Sequence, residues 1–414
     1  MDVRTWVARL GAALFFAPLG CSDAGTSLTD STDGGGNPAS DVGSPRDATD
    51  SGRPPVGDGA PGAPRDASVS DGAGSFPVMP IGGGASCHPK FASGVNAAWI
   101  RFATDVPTPD LASFTTLFQN TRAAGGRVVR WWFHVNGTVT PGYDTNGLAS
   151  RLASSNIADV RQILDAAHAA GVMLTISLWS FDMLQGFENA PITNNFNLLT
   201  QDANRQAYID HVLSPLVIAL KGHPGLYAWE IFNEPEGMTT QNGWTPSKVD
   251  EKVIQVCVNW FADAIHSSDP TALVTNGAWT FVANSNVDTY QNSYSDAALR
   301  AAGGRPKGTL DFYEVHYYDN WGRDSTVVSP FKHPASYWKV DKPIAIGEFW
   351  AIDTNGVKAA DLYTTLYDNG YAGAWAWQYE NADTPGPDAS TKWPAMQLPM
   401  TNLYSAHKAD LDCP

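Results

Sequence analysis

From about residue 90 onward the apolar positions follow two periods in turn. Short continuous apolar runs, as in strands covered on both faces, alternate with stretches where apolar side chains recur every three or four positions, as in helices packed by one face. Residues 95–102, 127–134, 172–179, 228–232, 272–277, 310–317, 343–347 and 372–378 read as eight strands. Helices are predicted over 110–124, 157–170, 203–220, 247–268, 357–367 and 402–409. The first closes at Gly125-Gly126 and the second at Gly171. In the fourth the apolar face is Val253, Ile254, Val256, Val258, Phe261 and Ile265.

Eight strands with helices between them predict a (β/α)8 TIM barrel over residues 87–414. A doubly wound open sheet is the alternative, and it loses support because no GxGxxG or Walker motif follows any strand. In a barrel, functional groups gather at the C-terminal strand ends. Strand two there offers Arg130-Trp131-Trp132-Phe133-His134, and strand three offers Trp179. The fourth ends in Asn233-Glu234 before Pro235, which cannot donate to a strand ladder. The fifth ends near Asn276 and Trp279, the sixth at His316-Tyr317-Tyr318, the seventh at Gly347-Glu348-Phe349-Trp350 and the eighth at Trp377-Gln378-Tyr379. Each has a bland reading. Glu234 could be a surface acid at a loop mouth, His316 a satisfied core histidine, Arg130 an ion-pair partner, and Trp375 and Trp377 core side chains. Their coincidence on one rim favours a site. Glu230 sits alone inside an apolar run and must be paired inside the barrel, without a part in catalysis.

Composition narrows the partners. The chain has 414 residues, a formal net charge of −16 and a pI near 4.8, which argues against charge-driven binding to nucleic acid or anionic membrane. Its 15 Trp suit a sugar-binding cleft, although most tryptophans simply pack. Residues 22–86 are dominated by Gly, Ser, Asp, Pro and Ala, contain nothing that could form a core, and read as a disordered tether. Before them Arg4 and Arg9 precede the apolar run 10–19, a secretory signal too short to span a bilayer. Leu19-Gly20-Cys21 resembles a bacterial lipoprotein cleavage site, with Cys21 lipidated, although Pro18 stands where such sites usually have leucine. A plain signal cut after Ser22-Asp23-Ala24 competes. Cys257 falls in a helical pattern as a buried thiol. Cys87 and Cys413 flank the fold and could join its ends in an oxidising compartment, which spacing alone leaves open.

Two carboxyls on nearly opposite strands suit hydrolysis of a glycosidic bond, where one group holds a proton for the leaving oxygen and the other attacks. The residues carry a resemblance to a known family. Trp229-Glu230-Ile231-Phe232-Asn233-Glu234-Pro235 resembles the acid/base signature of clan A glycoside hydrolases, family 5 above all. Ile344-Ala345-Ile346-Gly347-Glu348-Phe349 is similar to that family's nucleophile strand, His316-Tyr317-Tyr318 to its strand-six motif, Arg130 to its strand-two arginine and Trp377 to its strand-eight tryptophan. The resemblance implies Glu234 as acid/base, Glu348 as nucleophile and Asn233 as ligand of the sugar 2-OH. It also implies that Arg130 and Tyr318 hold Glu348 ionised, that His316 orients the acid/base or the sugar, and that Trp377 is a stacking floor.

The chain departs from the family's cellulases, which often carry a histidine at the end of strand three, where Ser177-Leu178-Trp179-Ser180 stands here. Trp179 is then expected as a sugar platform, and endo-β-1,4-mannanases tolerate the difference better. His134 either reaches the cleft or caps its strand. The expected activity is retaining, endo-acting cleavage of β-1,4-linked polysaccharide, mannan first. A cellulase or an exo-acting β-mannosidase is the alternative within the fold, and a silent carbohydrate-binding lipoprotein the alternative outside it. No His-x-His or His-Glu-x-x-His occurs, so no metal or other cofactor is expected. The expected partner is the polysaccharide alone, with no nucleic acid, membrane contact only through Cys21, and a monomeric enzyme.

Overall fold

The computed structural model describes residues 89–319, 327–379 and 392–412. The expected leader, the lipidation at Cys21, the tether and the Cys87–Cys413 link lie outside these residues. Cys257 is a buried free thiol.

Eight parallel strands close into a barrel, each hydrogen-bonded to the next and the last to the first. They are β1 (Ala92–Asn96), β2 (Val128–Val135), β3 (Met173–Ser180), β4 (Leu226–Asn233), β5 (Val274–Ala278), β6 (Tyr313–His316), β7 (Ile344–Glu348) and β8 (Gly373–Ala376). Around them run α1 (Leu111–Ala123), α2 (Ser154–Ala169), α3 (Ile192–Thr200), α4 (Asp202–Tyr208), α5 (Ser214–Leu220), α6 (Glu251–Ser268), α7 (Asp296–Gly303), α8 (Leu362–Asp368) and α9 (Trp393–Leu411). The closed order removes the open-sheet alternative.

Two apolar layers build the scaffold. Residues at the starts of all eight strands, among them Ala92, Val128, Met173, Tyr227, Leu273, Phe312 and Ala345 together with Trp375, converge inside the barrel and plug its lower end. Outward-facing residues such as Ile176, Leu178, Ile231 and Phe232 join the inner faces of the helices in one continuous core. Each such side chain contributes about 1.5–3 kcal/mol by leaving water. The upper interior carries polar groups instead, namely Asn96, Arg130, Ser177, Glu230, Asn233, Glu314 and His316, all buried.

Several elements differ from the sequence expectation. The first strand runs over Ala92–Asn96, not 95–102. Gly94 fixes that register, because a Cβ there would lie 1.7 Å from the Val128 carbonyl oxygen. The aromatic run beyond it turns away around Asp105, whose carboxylate accepts the amides of Ile100 (2.9 Å) and Arg101 (2.8 Å) and the Trp131 indole N–H (3.0 Å). The helix expected over 203–220 is α4 and α5 joined by a π turn, Ile209–Leu213. Pro215 lies in the first turn of α5 and has no N–H to continue the regular ladder. The final helix is longer than expected. Helices α3 and α7 did not stand out in the apolar pattern. Local chemistry delimits α7: Ser295 caps its start by accepting from the Ala298 amide, and Gly304 ends it with φ of 74°.

Candidate active site

Arg130, near the middle of β2, is fully buried and spends all five of its N–H donors. Nε donates to Glu230 Oε2 (2.6 Å), and Nη2 donates to Glu230 Oε1 (2.7 Å) and Asn233 Oδ1 (2.8 Å). Nη1 donates to Asn96 Oδ1 (2.8 Å) and Glu348 Oε1 (2.6 Å). Glu230 thus finds the partner its burial demands. A third carboxyl, on Glu314, brings Oε1 within 2.8 Å of Nε. The single Nε hydrogen is already committed to Glu230, so Glu314 meets the cation's charge rather than an aimed N–H. Burial, then the Glu230 charge, push Glu314 well above the ordinary carboxyl range, which keeps it neutral. Two glycines make room for this cluster. A Cβ on Gly277 would stand 2.5 Å from Glu230 Oε1, and one on Gly347 would stand 2.3 Å from Glu314 Oε1.

The two expected catalytic carboxyls meet at the top of this network. Glu348 ends β7, where Oε1 accepts from Arg130 and Oε2 accepts from the Tyr318 hydroxyl at 2.8 Å. Glu234 follows β4 in a left-handed conformation (φ 45°, ψ 54°), with its amide bonded to the Gly277 carbonyl at 2.7 Å and Pro235 opening a 3-10 turn behind it. Its Oε1 shares a 2.8 Å hydrogen bond with His316 Nδ1. One carboxyl oxygen of Glu234, one of Glu348 and a nitrogen of His316 lie within 4.8 Å of one another. That proximity is close to the roughly 5–5.5 Å of a carboxyl pair that works by double displacement, and short of the roughly 6.5–9.5 Å that leaves room for a water between them.

The surroundings separate the two acids. Burial, followed by the charges of Glu348 and Glu236, raises Glu234 well above its ordinary range and holds its proton. Burial also raises Glu348, but the Arg130 charge and the bonds from Tyr318 and Arg130 oppose it, and it settles at about 7. Glu348 therefore ionises first. Burial, reinforced by Arg130, lowers His316 well below its usual value, so the imidazole beside Glu234 is neutral.

Of the other expected residues, Trp377 stands half-buried at the mouth, with ring centroids 5.6 Å from Trp132 and 6.1 Å from Trp99. Trp375 is core, its indole donating to the Ala92 carbonyl at 3.0 Å. Asn233 is in place beside Arg130 and Ser180. Trp179 is a correction. It is 1% exposed and packed against His134 (4.7 Å) and Tyr208 (5.7 Å), so no sugar can reach its face. His134 lies in the same outer layer, bonded to Thr140 and Tyr208, and burial lowers it to about 3. It does not reach the cleft.

Sequence reasoning passed over Asn96, Ser180, Asp182, Glu236 and Glu314. Glu314 carried the same signal as Glu230, a lone acid in an apolar strand. Asn96 was hidden inside a misplaced strand. Its amide ties the Gly347 carbonyl (2.7 Å) and the Trp375 carbonyl (2.8 Å) while its oxygen receives Arg130. Glu236, two residues past Glu234, accepts from the Tyr294 hydroxyl and from the Trp279 amide at 3.1 Å, and burial raises it to about 7.

A closed parallel barrel with a protonated and an ionisable carboxyl facing each other at its mouth, on the strands where such pairs act, defines a glycoside hydrolase. The chain belongs to glycosyl hydrolase family 5, whose cellulase model matches residues 92–383. It is 35% identical over 313 residues to a mannan endo-1,4-beta-mannosidase of Mytilus edulis, covering 70% of this chain and 84% of that protein. A mannan endo-1,4-beta-mannosidase of Cryptopygus antarcticus is 33% identical over 334 residues, covering 74% and 85%. Among solved structures, the beta-mannanase of the blue mussel Mytilus edulis superposes with a TM-score of 0.69 at 30% identity, covering 80% of this chain and 97% of that one.

Proposed function

We propose that this protein is a retaining endo-β-1,4-mannanase. The observation that carries the reading is the close but chemically unequal pair Glu234 and Glu348, set in a chain whose Mytilus edulis and Cryptopygus antarcticus relatives, 35% and 33% identical, are named mannan endo-1,4-beta-mannosidases. Glu348, ionised and aimed by Arg130 and Tyr318, attacks the anomeric carbon. Glu234 gives its proton to the leaving glycosidic oxygen. The glycosyl ester on Glu348 is then hydrolysed by a water that Glu234, now ionised, deprotonates, which restores both groups and retains the β configuration. Asn233 turns its amide toward the 2-OH, His316 orients Glu234, and Trp377 and Trp99, backed by the buried Trp132, offer an aromatic wall to the sugar ring. Against a cellulase, β3 ends in Ser177-Leu178-Trp179-Ser180, with no histidine.

The test is hydrolysis of mannan, glucomannan, carboxymethyl-cellulose and xylan, with product lengths followed over time. A mixture of short oligomers from mannan early in the reaction supports endo-mannanase action. Release of mannose alone would identify an exo-enzyme, and preference for carboxymethyl-cellulose would return the cellulase reading. The enzyme acts as a monomer outside the cytoplasm, carried there by residues 1–20 and held to the envelope by a lipid on Cys21. Release of a Cys21→Ala variant into the medium would support the anchor, and unchanged membrane association would refute it.

A further inference from the structure

One buried chain of hydrogen bonds beside the acid pair ends in two residues, Ser180 and Asp182, that have no part in the steps above. Asn233 Oδ1 accepts from Arg130 Nη2, which fixes the orientation of the amide: its NH2 faces away from the guanidinium. One of those N–H groups points to Ser180 Oγ at 3.3 Å. Ser180 Oγ in turn lies 2.6 Å from Asp182 Oδ2. A serine hydroxyl has one hydrogen and two lone pairs. With its hydrogen committed to the Asp182 carboxyl, one lone pair takes the Asp182 amide N–H at 3.4 Å and the other is left for Asn233. The chain runs one way, Arg130 to Asn233 to Ser180 to Asp182, with a cation at one end and an acid at the other. Ser180 and Asp182 are wholly buried and Asn233 is 1% exposed. Burial of an aspartate with no arginine or lysine pair among the described residues is costly, so its presence calls for a reason.

We propose that Ser180 and Asp182 are positioning residues that hold the Asn233 amide with its remaining N–H aimed at the substrate's C2 hydroxyl. This rests on the glycosidase reading of Asn233. Without Ser180 as acceptor, the NH2 group is held only by Arg130 pulling on the far oxygen, and the amide can rock about its terminal bond, where the torsional wells are broad. With Asp182 changed to Asn, the group facing Ser180 can present N–H in place of a carboxyl oxygen and reverse the serine hydroxyl toward Asn233. In either case the contact to C2 weakens. That contact strengthens toward the transition state, so the loss falls on kcat rather than KM.

The experiment compares Ser180→Ala, Asp182→Asn and Ser180→Thr with the unaltered enzyme on two aryl β-mannobiosides. One carries all its hydroxyls, and the other lacks the 2-OH on the sugar at the cleavage point. On the complete substrate, Ser180→Ala and Asp182→Asn are expected to lower kcat about tenfold, the worth of one well-placed hydrogen bond, with KM nearly unchanged. On the 2-deoxy substrate the same variants should equal the unaltered enzyme, and Ser180→Thr, which keeps the hydroxyl, should recover most of the rate on the complete one. Equal losses on both substrates would overturn the proposal and leave only a packing role. So would full activity of Ser180→Ala on the complete substrate. If Ser180→Ala fails to fold, Asp182→Asn, which keeps the volume, decides alone. Should the unaltered enzyme prefer gluco- to manno-substrates, the mannanase reading falls, and the same comparison on the aryl cellobioside pair still tests the chain.

Discussion

Two aromatic groups stand at neighbouring strand ends and look alike in the sequence. Trp132, with Trp99 and Trp377, lines the mouth over Arg130, whose guanidinium lies 5.3 Å from the Trp132 ring. Trp179, with His134 and Tyr208, is sealed between barrel and helices. The difference comes from strand parity. Side chains in a regular strand alternate, but here two successive residues face the helices before the chain turns inward again. On β3, Leu178 and Trp179 lie between inward Ser177 and Ser180. On β4, Ile231 and Phe232 lie between inward Glu230 and Asn233. On β2, Phe133 and His134 lie between Trp132 and Val135, which pack together. The ladders record slips where Trp132 and Val135 face Ser177 and Trp179, and where Glu230 and Asn233 face Thr275 and Gly277. A bulge of this kind reassigns every side chain beyond it to the other face. The amide and acid at positions 233 and 234 owe their placement to it, as does the loss of Trp179 to the core.

Substitutions separate the two groups by what each one costs. The largest effect belongs to the inward set. Glu348→Ala should lower turnover by about 10⁴-fold or more while circular dichroism stays unchanged, with partial rescue by azide standing in for the missing carboxylate. Substantial residual turnover without azide would remove Glu348 from the nucleophile's role. Next, Trp377→Ala should cut kcat/KM on mannan by roughly 10- to 100-fold through lost stacking, with little change in melting temperature. Trp179→Ala should do the reverse, costing about 3–5 kcal/mol in chemical denaturation while the folded fraction turns over at a near-normal rate. If Trp179→Ala proves stable and raises KM, the contrast fails.

The pH profile probes the unequal acids. The proposed mechanism requires Glu348 ionised and Glu234 protonated, so the rate should fall on the acid side as Glu348, raised to about 7, takes up a proton. It should fall on the alkaline side as Glu234 loses its own. Tyr318→Phe removes a hydrogen bond that favours the charged form of Glu348, so the acid limb should move to higher pH, together with about a tenfold loss in kcat. The smallest effect should come from His134→Phe, with kcat and the pH limbs within about twofold of normal, because the ring is buried and neutral throughout the working range.

The sequence carried the alternation of strands and helices, and with it the barrel. It also carried Asn233-Glu234 and Gly347-Glu348, because a polar residue closing an apolar strand is visible in one dimension. Arg130, His316 and Tyr318 could be placed on the rim by the same rule, and their bonds to the acid pair appear only in the fold. What it hid depends on local parity and long-range closure. Nothing in Phe133-His134 or Leu178-Trp179 announces two consecutive outward residues. Asn96 looked like the second position of a strand that in fact ends there. Glu236 and Asp182 lie in 3-10 turns just beyond their strands, and nothing near them in sequence hints at Tyr294 or Asn233.

The five-donor saturation of Arg130 has a consequence for how activity appears during refolding. One guanidinium is shared among β1, through Asn96, β4, through Glu230 and Asn233, and β7, through Glu348. A chain with only half of the barrel assembled would leave that cation, and the acids meant for it, without partners in an apolar setting. Such a half-assembled state is disfavoured by several kcal/mol and leaves the Glu348 carboxyl unaimed. Turnover should therefore return in step with ring closure rather than accumulate strand by strand, so that the enzyme's own reaction reports the moment at which β8 meets β1.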